Sequence, residues 1–208
     1  MKSKAKSIEV HQGDIPAGMN FGDSVAVDTE TQGLRPNRDR LCVVQLSSGD
    51  GTCHLVQFPK ADFVAPNLKA LFTNAKVTKI FHYARFDVAM ISKYLGVDCA
   101  PVYCTKIASR LARTYTSNHG LKDVCKELLD VDMSKEQQSS DWAAEELSAA
   151  QTEYAAADVL HLHQIRDKLD AILVREGRSD LARACFDFLT TRAALDLAGW
   201  PEEDIFSH

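Results

Sequence analysis

At 208 residues, with 45% hydrophobic and 25% charged residues, the chain has the make-up of a one-domain soluble protein and leaves little room for a second core. Its net charge of −5 excludes a general attraction to polyanions, so any nucleic-acid binding must rely on a local basic patch or on metal. The basic start Met1-Lys-Ser-Lys-Ala-Lys-Ser7 has no apolar segment behind it, which predicts neither a signal peptide nor a membrane span, and a cytoplasmic protein.

Residues 7–22 read as a short edge strand and a loop. Three strands are predicted next, over Ser24–Asp28, Leu41–Ser47 and Thr52–Phe58. Ser48-Gly-Asp-Gly51 supplies a hairpin turn with glycines where positive φ is needed, so the domain opens with an antiparallel meander. Pro66–Phe72 is a helix with Pro in its first turn, and Val77–His82 is a further strand. From about Ala84 to Leu95, Phe86, Val88, Ala89, Ile91 and Leu95 recur at helical spacing, and Gly96 ends the helix. Val102–Cys104 is a last short strand. Helices follow over 105–113, 119–130, 145–175 with a start signal at Ser148, and 179–198. The order predicts a mixed sheet covered by helices, an α/β fold. Cys42, Cys53, Cys99, Cys104, Cys125 and Cys185 are scattered, without zinc-type spacing, and are expected to be reduced and mostly buried.

The stretch Val25-Ala-Val-Asp28-Thr-Glu30-Thr31 ends an apolar run in two carboxylates two residues apart. Alternation along a strand puts Asp28 and Glu30 on one face, where they repel each other unless a hard cation such as Mg²⁺ or Mn²⁺ holds them. Taken alone, the pair also fits solvated turn chemistry. Asp87 falls in the first turn of the helix beginning near Ala84, a position that favours a carboxylate on helix-dipole grounds alone. Tyr154 and Asp158 lie four apart on a helix and share a face, with three alanines between them that permit close approach. His161 and His163, two apart on a helix, cannot share a face and are set aside as metal ligands.

Together, Asp28, Glu30, Asp87 and Asp158, with Tyr154 four residues before the last acid, resemble the three exonuclease motifs of the DEDD superfamily, in the subclass with a third-motif tyrosine. The flanking text agrees: Leu41-Cys-Val-Val-Gln45, then His82-x-Ala84-Arg85-Phe86-Asp87, then Ser139-Ser-Asp-Trp142 with Leu147-Ser and Gln151-x-x-Tyr154. The chain looks like the ribonuclease D branch from about residue 8 to 175, and is most similar to the short, stand-alone nano-RNase C family. About 30 residues follow the catalytic unit, without the helical domains of full-length ribonuclease D.

That resemblance implies a ribonuclease H-like fold in a single domain over 1–208, with 176–208 available for an oligomer contact. It also implies a two-metal 3′→5′ exoribonuclease using Mg²⁺ or Mn²⁺. Such an enzyme would act on single-stranded RNA 3′ ends and short oligoribonucleotides, dinucleotides included, and would assemble as a homo-oligomeric ring, usually an octamer. By the same resemblance Asp28, Glu30 and Asp158 hold the nucleophile-side ion, Asp28 bridges, Asp87 reaches the second ion mostly through water, and Tyr154 orients the attacking water or acts as its base. Leu34 would wedge against the terminal base, as the residue after the first motif does in similar enzymes. His82 and Arg85, beside Asp87, fit contact with a substrate phosphate and strand-end packing about equally well, and Thr31, Gln45, His119, Lys122 and the Ser139–Trp142 loop are candidates to border the cleft. The basic loop residues Arg35, Arg38 and Arg40 fit a substrate-facing patch or a solvated face equally well.

Three rivals stay open. Asp28-Thr-Glu30-Thr31 superficially matches the motif of haloacid dehalogenase phosphatases, although that chemistry needs Asp at the second acid and a downstream Lys with an acidic pair. A silent RNA-binding scaffold is argued against by the presence of all four acids and the Tyr. A DNA-directed exonuclease remains possible because no sequence feature reads the 2′-hydroxyl. The apolar C-terminal stretch Leu195–Phe206 packs on its own domain or forms a subunit interface.

Overall fold

The computed structural model describes residues 5–134 and 136–208, so the basic start over Met1–Lys4 lies outside the described residues. Six strands form one mixed sheet in the order β1-β4-β3-β2-β5-β6. They are β1 (Ser7–Gln12), β2 (Ser24–Thr31), β3 (Leu41–Ser47), β4 (Thr52–Gln57), β5 (Thr78–Phe81) and β6 (Val102–Cys104). The meander β2-β3-β4 is antiparallel, while β1 joins β4, β5 joins β2 and β6 joins β5 in parallel. β3 is buried along its whole length, as the uninterrupted run Leu41-Cys-Val-Val requires of a strand covered on both faces. In the β3–β4 turn, Gly49 has φ +82, and a Cβ there would stand 2.9 Å from the His163 ring, so both conformation and space call for glycine.

The helices are α1 (Pro66–Thr73), α2 (Ala84–Leu95), α3 (Thr105–Ala112), α4 (Leu121–Leu129), α5 (Ala149–Leu160), α6 (Leu162–Arg175), α7 (Ser179–Asp187) and α8 (Leu189–Ala198). α2 ends on Gly96 in the left-handed conformation, whose N–H reaches the Ser92 carbonyl. Ser148 caps α5 in a capping box with Gln151. Two predicted helices are each broken once. The 145–175 segment starts only at Ala149 and is interrupted at His161, because α5 lies on β2, β3 and β4 while α6 turns away to pack on α3 and α4. The 179–198 segment is interrupted at Phe188, where α7 leaves α3 and β6 and α8 runs onto α2. The strand ending at Asp28 in the sequence reading continues to Thr31, which places Glu30 on the same rigid strand as Asp28. All six cysteines are free, and five are buried. Among the described residues, no helix is long and apolar enough to cross a membrane.

Candidate active site

β2 and β5 run parallel, so their C-terminal ends open on the same edge of the sheet, the edge at which open α/β sheets place their ligands. Asp28 and Glu30 stand on one face of β2. α5 crosses that face and brings Asp158 to them. Carboxylate oxygens of Asp28, Glu30 and Asp158 all lie within 4.8 Å of one another. Asp87 is not one of that close trio. It comes from the first turn of α2, is 3% exposed, and accepts a 2.6 Å hydrogen bond from Thr29 Oγ1, the residue between the two acids of β2. Tyr83, which ends the β5–α2 connection, is held at φ 84, a left-handed conformation uncommon for a residue with a side chain.

Four carboxyls in one half-buried site disturb each other's protonation. Asp28 is raised well above the usual carboxylate value, first by burial, then by the charges of Asp87, Asp158 and Glu30. Glu30 is pushed up to about 9 by burial and then by Asp158 and Asp87. Asp87 and Asp158 are each raised to about 7, again chiefly by burial. Among the described residues, no Arg or Lys is a cause of these shifts. Buried acids of one sign, with oxygens at ligand spacing, fit a hard divalent metal. Burial, and then the charges of Asp158, Glu30 and Asp28, raise the Tyr154 phenol above the ordinary value. Trp142, 3% exposed, packs at 6.1 Å between ring centroids from Tyr154, and its loop is held by Gln151 Nε2 donating to the Asp141 carbonyl at 3.0 Å.

The proposed substrate contacts fare unevenly. Leu34 is 84% exposed on the loop after β2, free to meet a base. Thr31 spends its hydroxyl on the Gly33 carbonyl at 2.5 Å, a turn contact. Gln45 is a correction: it pairs in register with Asp28 but has no exposed surface, so it lies beneath the site and not on the cleft wall. Among the described residues its amide has no hydrogen-bond partner. Arg85 is a second correction. Its guanidinium is committed to Asp196 of α8 at 2.6 and 2.7 Å and to the Pro201 carbonyl, which ties α2 to the C-terminal segment. His82 has its Nδ1 on Thr105 Oγ1 at 2.8 Å, and burial with nearby Lys106 lowers it to about 3, so it offers no positive charge to a phosphate. His119 hydrogen-bonds Ser109, and Lys122 is exposed.

Arg38 pairs with Asp39, and Arg40 donates to the Phe58 carbonyl at 2.6 Å, so the basic loop is largely spoken for. The sequence reading missed Thr29, whose hydroxyl fixes Asp87.

Residues 14–174 match the family model described as 3′-5′ exonuclease. Ribonuclease D of Acidiphilium cryptum is 36% identical over 156 residues, 75% of this chain and 39% of that protein. The chain thus spans about two-fifths of the length of the ribonuclease D relatives it matches. Among solved structures, Brucella melitensis NrnC bound to pGG is 56% identical, with a TM-score of 0.94 over 97% of this chain and 98% of that one. Brucella melitensis NrnC with bound Mg²⁺ is 55% identical, with a TM-score of 0.93 over 97% and 99%.

Proposed function

The chain belongs to the 3′-5′ exonuclease family and, within it, to the NrnC nucleases, and from this premise we propose that it is a metal-dependent exoribonuclease releasing nucleoside 5′-monophosphates from the 3′ ends of short RNA oligomers, dinucleotides included. The observation that carries this reading is the convergence of Asp28, Glu30 and Asp158, with Asp87 held beside them by Thr29. Two divalent ions, when bound, neutralise the oxygens on either side of the scissile phosphorus and make water a better nucleophile near neutral pH. Asp28, Glu30 and Asp158, whose oxygens converge, would hold the ions together with Asp87. The Tyr154 phenol, raised by burial and by the charges of Asp158, Glu30 and Asp28, stays protonated near neutral pH, so it would orient the attacking water rather than act as its base. Trp142 keeps that ring in place.

The whole chain is proposed as one exonuclease domain with its catalytic unit over about 8–175, in a cytoplasmic protein whose reduced cysteines suit that compartment. The exposed apolar residues Phe188, Trp200, Ile205 and Phe206 support a homo-oligomeric assembly through the C-terminal segment, with an octameric ring as the form to test by light scattering. Incubating the protein with 5′-labelled RNAs, from dinucleotides to chains an order of magnitude longer, beside matched DNAs, with Mg²⁺, Mn²⁺ or EDTA, tests the proposal. It predicts fastest cleavage of the shortest RNAs, stepwise from the 3′ end, and none in EDTA. Metal-independent cleavage, or a preference for DNA, would overturn it.

A further inference from the structure

A second group of metal-ligating side chains lies on the other face of the sheet, at its β1 edge. β1 and β4 run parallel with Glu9 in register with His54, and His11 follows Glu9 by two residues, so all three point the same way. Asp28 pairs with Gln45 and Gln45 with Leu55, which puts His54, one residue earlier, on the face opposite the catalytic acids. Three strand spacings, about 14 Å, separate β2 from β1. His11 Nε2 and His54 Nδ1 stand 3.1 Å apart, and His54 Nδ1 is 3.5 Å from Glu9 Oε2. The two imidazoles stack with centroids 5.3 Å apart, and the buried Phe21 meets the His54 ring edge-on at 5.8 Å, which limits how the ring can turn.

We propose that Glu9, His11 and His54 form a binding site for a transition-metal ion of the zinc class, separate from the carboxylate site. Donors on a tetrahedral zinc with bonds of about 2.0–2.1 Å stand about 3.3–3.4 Å from one another. The 3.1 and 3.5 Å separations bracket that spacing, and all three donor atoms lie within 4.8 Å of each other. Two imidazole nitrogens and one carboxylate select zinc, cobalt, nickel or copper over magnesium and calcium, which take all-oxygen sites. Glu9 is exposed, so the ion has a path from solvent and the fourth position is open to water. Because its ligands come from two strands, the ion would clasp the edge strand β1 to β4 and stabilise the fold by mass action.

The test uses untagged, metal-stripped full chain in millimolar Mg²⁺, titrated with Zn²⁺ by calorimetry and with Co²⁺ by visible absorption. The expected result is one zinc per chain, the strong absorption of tetrahedral cobalt, and a zinc-dependent rise in melting temperature. These persist in Asp158→Asn. Zinc binding weakens by about a hundredfold or more in His11→Ala and in His54→Gln, since even lost supporting contacts around a metal cost about 10–100-fold. His11→Ala alters only a half-exposed edge-strand residue, and its melting temperature in EDTA should match the parent, which separates ligand loss from misfolding. Equal zinc affinity in His11→Ala and the parent, or no zinc bound beyond what Asp158→Asn abolishes, would overturn the proposal and leave a histidine–histidine hydrogen bond alone.

Discussion

Asp28 is the residue on which the proposed chemistry turns, and its physics is that of a charge kept where charge is expensive. Burial and three neighbouring acids raise its carboxyl, so the metal-free fold carries electrostatic strain that bound cations relieve. Asp158→Asn should therefore raise the melting temperature in EDTA at pH 8 while abolishing RNA hydrolysis; a lower melting temperature would mean that the carboxylate is held by something other than metal. The pH dependence follows from the same shifts. Asp87 and Asp158 at about 7, and Glu30 at about 9, bind protons in the folded state that they release at about 4 in the unfolded chain. Folded protein binds more protons across that window, so stability in EDTA falls as pH rises from about 4 toward 7 and beyond. Melting curves from pH 5 to 8 should show this decline, and saturating Mg²⁺ should flatten it; a rise with pH in EDTA would contradict the assignment. For Tyr154→Phe the expected loss in kcat is about 10- to 100-fold, less than the roughly 100- to 10,000-fold of a general base, with metal affinity unchanged in calorimetry.

Among the elements, α8 shows how a residue can sit beside a site without working in it. Arg85 lies two residues before Asp87, yet its guanidinium pairs with Asp196, which is also held by Arg192 at 2.6 Å. Arg85→Ala should lower unfolding stability by about 1–3 kcal/mol, between an exposed and a buried ion pair, with KM for RNA nearly unchanged. A large KM increase without loss of stability would return Arg85 to the substrate. Local signals located the helix ends that have local causes: Pro66 in the first turn of α1, Gly96 after α2 and Ser148 before α5. They could not show the breaks at His161 and Phe188, where apolar spacing continues and only the packing partner changes.

Across the whole molecule, what the sequence made legible was what periodicity encodes. Strand alternation set Asp28 and Glu30 on one face, helical spacing set Tyr154 over Asp158, and the mixed sheet followed from the order of elements. What stayed hidden depends on contacts between distant segments: the Thr29 hydroxyl on Asp87, the full burial of Gln45, and the meeting of His11 with His54 across the β1–β4 pair. If four acids from three segments act as one cage for cations, calorimetric counting of Mn²⁺ on metal-stripped protein should find two ions bound per chain in the parent and a collapse of this binding in Asp28→Asn, with the fold retained. Undiminished Mn²⁺ binding in Asp28→Asn would contradict it.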